Sequence, residues 1–109
     1  MSENLVKSIY LGIGSNLGNR RKNIELAKFK LVENGIKILK SSSYYESFSW
    51  PNRKKPKFLN IILEISTNLK SSELLEKCKK IEFKLGRKKS SKNSPRTCDI
   101  DIIDYKNYQ

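Results

Sequence analysis

The sequence predicts an α+β domain in which a four-stranded antiparallel sheet carries two helices on one face. Three observations predict it. Several short segments alternate apolar and polar residues, two longer segments repeat apolar residues at helical spacing and run into a glycine, and their order along the chain is β-α-β-β-α-β.

Each element has its own justification. "KSIYLGIG" alternates, with Ile9, Leu11 and Ile13 on one face and Ser8, Tyr10, Gly12 and Gly14 on the other, as a half-buried strand does. "SNLGNR" breaks it with the cap-type side chains Ser15, Asn16 and Asn19, and Ile24, Ala27 and Leu31 then mark a helix over residues 20–32 that Gly35 ends. "IKILKSSSYYES" reads as one further extended segment, and "FSWPNRKKPK", with two prolines and a basic run, as an exposed loop. In "FLNIILEIST", Leu59, Ile61, Leu63 and Ile65 share one face while Phe58, Asn60, Ile62 and Glu64 share the other. "SSELLEKCKKIEFKLG" is a helix capped by Ser71 or Ser72, with the stripe Leu74, Cys78, Ile81 and Leu85 and the terminator Gly86. "RKKSSKNSPR" is a basic loop and "TCDIDIIDY" the last strand. The βαββαβ order is that of the ferredoxin-like fold, which leaves the second sheet face open.

Bulk properties narrow the function. A length of 109 residues suits a single domain over residues 1–109. No apolar run approaches the ~18 residues of a membrane span, and "MSENLVKS" lacks the basic start and apolar core of a secretory signal, so a cytoplasmic protein with no membrane partner is expected. The absence of histidine excludes His-based acid/base catalysis and His-ligated metals, and Cys78 and Cys98 form no metal-ligand cluster. A net charge of +12 fits an anionic partner, and the lysine and asparagine bias of a low-GC genome accounts for it equally well.

Strand parity makes the open face chemically specific. If the apolar sets pack beneath the helices, then Tyr10, Gly12, Phe58, Asn60, Asp99 and Asp101 all face the open side. Aspartates at i and i+2 of a strand lie roughly 6–7 Å apart at Cα and can converge on hard cations, magnesium better than zinc. The competing explanation is an edge strand protected by charge. Arg87, Lys88, Lys89, Lys92 and Arg96, just before the acids, suit a metal-nucleotide site, where cations hold phosphate oxygens and aspartates hold magnesium. The turn "GIGSNLGNR" is either a phosphate cradle at a helix start or a stretch whose glycines clear space above the sheet; it has neither the P-loop ending nor dinucleotide spacing.

Taken in order, "YLGIGSNLGNR", "SSYYESFSW", "FLN", "IEFKLGR" and "PRTCDIDI" resemble the 6-hydroxymethyl-7,8-dihydropterin pyrophosphokinases of folate biosynthesis over nearly the whole chain. The resemblance implies transfer of pyrophosphate from ATP to the hydroxymethyl group of a reduced pterin, with release of AMP. It implies that Asp99 and Asp101 bind two magnesium ions, that Arg87, Lys89 and Arg96 hold the triphosphate, Arg87 and Arg96 with a catalytic share, and that Lys79, Glu82 and Ile102 lie near the nucleotide. Gly14, Ser47, Phe48, Trp50, Phe58 and Asn60 are the implied pterin pocket, with Phe58 stacking on the ring and Asn60 bonding to it. The chain departs from the family pattern at Ser47-Phe48-Ser49, where Thr-Pro-Pro is usual, at Lys89, where arginine is frequent, and in lacking a tryptophan before Pro95-Arg96. It also stops soon after the aspartates, before the segment with which such proteins complete the site, so weak or absent turnover is expected; separately, a monomer is expected. An inactive nucleotide-binding homologue is the first alternative. An RNA-binding module of the same topology is the second; it is disfavoured because its aromatic signature is missing and two aspartates on the open face repel a phosphate backbone.

Overall fold

The computed structural model describes residues 9–49, 56–86 and 97–105. Trp50, Arg87, Lys89 and Arg96, named above, lie outside the described residues. The elements are β1 (Ile9–Ser15), α1 (Arg20–Glu33), β2 (Lys37–Ser41), β3 (Tyr45–Ser47), β4 (Phe58–Ser66), α2 (Ser71–Lys84) and β5 (Asp99–Tyr105). All strand pairs are antiparallel and belong to one sheet of order β2-β4-β1-β5, with β3 also alongside β4. This is the α+β, ferredoxin-like arrangement that the sequence predicts.

The alternating strands explain why both helices lie on one face. Ile9, Leu11 and Ile13 of β1, Ile61, Leu63 and Ile65 of β4 and Ile100 of β5 are buried together with Ile24, Ala27 and Leu31 of α1 and Leu74, Cys78 and Ile81 of α2. Each fully buried leucine or isoleucine contributes about 1.5–3 kcal/mol relative to an exposed one, so this set decides which face is covered. Among the described residues no helix is long and apolar enough to cross a membrane.

The second extended segment is not one strand but two, so the sheet has five strands rather than four. Ser41 lies opposite Leu63 and Tyr45 opposite Asn60, so three residues on one side span two on the other. Ser42 is the cause. Its N–H donates to Ile62 O at 2.8 Å, and its side-chain Oγ, rather than a main-chain carbonyl, accepts from Ile62 N at 2.8 Å. Further bulges lie in β2, where Ile38 faces Ile65, Lys40 faces Glu64 and Leu39 is the extra residue, and in β5, where Leu11 faces Ile102, Tyr10 faces Asp104 and Ile103 is the extra residue.

The helix ends are partly as predicted. Asn19 caps α1, its side chain accepting from Lys22 N at 3.1 Å, and Gly35 follows the helix at φ +79°. For α2 the predicted serine caps are displaced: Ser71 and Ser72 fall inside the first turn, and Lys70 is the N-cap. A lysine side chain cannot accept, so closure comes from the reverse direction, with Glu73 Oε1 accepting from Lys70 N at 2.8 Å.

Candidate active site

A cleft of about 240 Å³ opens on the uncovered sheet face, lined by Gly12, Gly14, Tyr45, Phe58, Asn60, Asp99, Asp101 and Ile103, with Ile13 and Ile61 at its floor. The strand register explains its shape. Asn60, Gly14 and Asp99 form one row across β4, β1 and β5, and Ile62, Gly12 and Asp101 form the next. Neighbouring strands are ~4.8 Å apart, so the Cα atoms of Asn60 and Asp99 lie roughly 10 Å from each other with a glycine between them. A Cβ on Gly14 would stand 2.9 Å from Asn60 Oδ1 and 3.2 Å from Phe58 Cδ1, and one on Gly12 would stand 3.1 Å from Ile103 Cδ1. The two glycines therefore make room, and the protein's own side chains take part of it.

Asn60 is held at one wall. Its Nδ2 donates to Ser47 Oγ at 3.0 Å and to Tyr45 O at 3.2 Å, which leaves Oδ1 turned toward Gly14. Asp99 and Asp101 form the opposite wall, the first half-buried and the second exposed. Their position is fixed from below: Cys98 and Ile100 are buried in the core. Ile100 N donates to Glu82 Oε2 at 2.6 Å. Because β5 is the outer strand of the order above, this N–H points away from β1 and needs a partner off the sheet, which the buried Glu82 supplies.

Glu82 is thus buried under β5, and Lys79 Nζ stands 3.9 Å from its Oε1 with a largely exposed side chain. Ile102 is half-buried against the core rather than on the open face. Phe48 is exposed and outside the cleft lining, with the Lys57 ammonium 5.0 Å from its ring centre. Burial pushes the Cys78 thiol from 9.0 up to about 12, helped by the Glu82 carboxylate and opposed by Lys79, so it packs as an inert apolar group.

The donor set decides what the cleft can hold. Among the described residues no three His, Cys, Asp or Glu side chains gather into a full ligand cage. Two carboxylates without nitrogen or sulfur donors suit a hard cation that keeps water and phosphate oxygens in its remaining positions, as magnesium does. A second hollow of about 340 Å³ on the same face, lined by Tyr10, Lys40, Ser41, Ser42, Ile62 and Glu64, has one carboxylate and no such pair.

Residues 10–108 match the model of the 7,8-dihydro-6-hydroxymethylpterin-pyrophosphokinase (HPPK) family. The chain belongs to this family. Similar pyrophosphokinases include the 2-amino-4-hydroxy-6-hydroxymethyldihydropteridine pyrophosphokinase of Aquifex aeolicus, 45% identical over 91% of this chain and 61% of that protein. Its Bacillus subtilis counterpart is 37% identical over 86% of this chain and 57% of that protein. The folic acid synthesis protein fol1 of Pneumocystis carinii is 41% identical over 95% of this chain and 14% of that protein. The chain thus spans about three fifths of the length of the bacterial pyrophosphokinases it matches.

Of the residues that the sequence singles out, Gly14, Phe58, Asn60, Asp99 and Asp101 meet at one cleft, and Ser47 reaches it through Asn60. Tyr45 and Ile103 also line it and were missed. Ile103 follows Asp99 and Asp101 at the same parity and was legible. Tyr45 was not, because it needed the split between β2 and β3.

Proposed function

We propose that the chain carries the ATP- and pterin-binding core of a 6-hydroxymethyl-7,8-dihydropterin pyrophosphokinase, acting in folate biosynthesis in the cytoplasm as a monomer. What supports this most is that the Asp99 and Asp101 carboxylates open onto the same cleft as Asn60 and Phe58. A site for charged phosphates therefore adjoins a site for a flat polar ring.

In this reading Phe58 lies against the ring face, and Asn60, with its amide nitrogen already engaged by Ser47, offers Oδ1 to the ring's N–H groups. Asp99 and Asp101 hold two magnesium ions, and Arg87, Lys89 and Arg96 hold the triphosphate. Lys79, exposed beside the outer edge of β5, adds positive charge on the nucleotide side. When bound, magnesium supplies the charge neutralisation that lets a nucleophile approach the triphosphate. The pterin hydroxymethyl oxygen bonds to the β-phosphorus and gives up its proton to water, the bond from that phosphorus to the α-β bridging oxygen breaks with its electron pair staying on that oxygen, and AMP leaves. The protein's contribution is to hold both substrates in line, which alone can supply about 7–11 kcal/mol of a barrier.

Isothermal titration tests this: a non-hydrolysable ATP analogue is added with and without magnesium, followed by the pterin. Magnesium-dependent binding that strengthens pterin binding, and that is lost in Asp99→Asn, is expected. Binding that ignores both magnesium and the substitution would sink the metal assignment.

A further inference from the structure

The wall of the cleft opposite the aspartates has a weak point. β3 is three residues long and all three are exposed, so almost no apolar burial holds it. Yet it supplies Tyr45 to the cleft, and Ser47 to Asn60. Its partner end of β4, where Ser47 faces Phe58, begins directly after Lys57.

Both of these chain ends are tied to the β1–α1 turn. Asn16 is buried, 3% exposed, and its Nδ2 donates to Ser49 Oγ at 3.1 Å and to Pro56 O at 3.2 Å. Ser49 Oγ itself donates to Pro56 O. Arg20 Nη1 donates to Lys57 O at 3.1 Å, and Nη2 stands 2.9 Å from Glu46 Oε2. Two side chains, one in the turn and one at the start of α1, thus reach β3, the residue Ser49 after it and the residues before β4, which are 26 to 40 positions away in the chain. The turn is itself braced: Asn23 Nδ2 donates to Leu17 O at 2.8 Å and to Ser15 Oγ at 3.2 Å.

We propose that Asn16 and Arg20 are positioning residues for the ring-binding wall: they fix β3 and the start of β4, and with them Tyr45, Ser47, Phe58 and Asn60. The motif "SNLGNR" then acts as a clamp on the chain rather than as a phosphate cradle. Asn16 suits the task because its amide nitrogen donates twice from a buried position, to Ser49 Oγ and to Pro56 O, and so ties the turn to both chain ends at once. Arg20 suits it because a planar guanidinium serves a carboxylate and a carbonyl at once. The functional half of this proposal rests on the pterin reading of the cleft.

The test uses Asn16→Ala, Arg20→Met and Arg20→Lys, with Ile36→Val, a buried site remote from the turn, as a control for general loss of stability. Titrations of 6-hydroxymethyl-7,8-dihydropterin and of the magnesium complex of a non-hydrolysable ATP analogue are read separately. The expected result is a pterin dissociation constant about tenfold higher in Asn16→Ala and Arg20→Met, with partial rescue in Arg20→Lys and nucleotide binding within about twofold of the parent. Unchanged pterin affinity, or an equal fall for both ligands as in Ile36→Val, overturns the proposal. If the parent chain takes no pterin, the pterin reading fails instead, and hydrogen exchange decides the clamp. Faster exchange at residues 45–47 and 58–60 in Asn16→Ala and Arg20→Met, with β5 unchanged, supports it, and uniform exchange overturns it.

Discussion

The two walls of the cleft are built by different physics. β5 carries Asp99 and Asp101 over a floor of buried Cys98 and Ile100, pairs with β1 from Gly14 to Ile9, and has Glu82 beneath its outer edge. β3 carries Tyr45 and Ser47 with no buried residue of its own and depends on hydrogen bonds from Ser42, Asn60, Asn16 and Arg20. The acidic wall belongs to the core, and disturbing it disturbs folding. The ring wall hangs on directional contacts near the surface, so it can change ligand affinity with little effect on global stability.

The largest break in that contrast is expected at Glu82. Glu82→Ala leaves the Ile100 N–H without its acceptor beneath β5 and should cost about 2–4 kcal/mol in chemical denaturation. Glu82→Gln, which keeps an acceptor oxygen, should cost about 1 kcal/mol. Equal effects of the two would show that packing, not the hydrogen bond, is what Glu82 contributes.

Alkali should act next on the same wall. The Cys78 thiol, raised from 9.0 to about 12, stays protonated in the folded chain after an unfolded cysteine has ionised. Its contribution is therefore complete below pH 9 and is lost as pH rises toward 12, by about 2 kcal/mol near pH ~10.5. Denaturation curves across that range should flatten in Cys78→Ala. An identical pH slope in the variant would assign the loss to other groups.

The smallest effect on stability is expected at the ring wall. Ser47→Ala removes the 3.0 Å contact that holds Asn60 and should lower stability by at most ~1 kcal/mol, while pterin affinity, measured by titration, falls several-fold. A stability loss as large as that of Glu82→Ala would erase the distinction between the walls.

Much of this was legible along the chain. Period-two alternation in β1, β4 and β5 placed Gly12, Phe58, Asn60, Asp99 and Asp101 on the open face, because a pleated strand leaves no other choice once its apolar set is buried. The helix stripes Ile24, Ala27, Leu31 and Leu74, Cys78, Ile81 were readable for the same reason.

The sequence alone thus determined the element order apart from the split into β2 and β3, the covered face and the acidic pair, all of which follow from local periodicity and the sign of each side chain's transfer to water. Only the tertiary structure decided the rest. Glu82 was singled out only as a residue near the nucleotide, and its place beneath β5 emerged when that strand brought an N–H that needed an acceptor. Ser42 looked like part of a strand until its hydroxyl took a carbonyl's place opposite Ile62. Asn16 looked like a capping residue and Arg20 like the start of a helix until their partners arrived from 26 to 40 residues away. Each of these roles is a hydrogen bond whose second partner is remote in the chain, and no local pattern records such a partner.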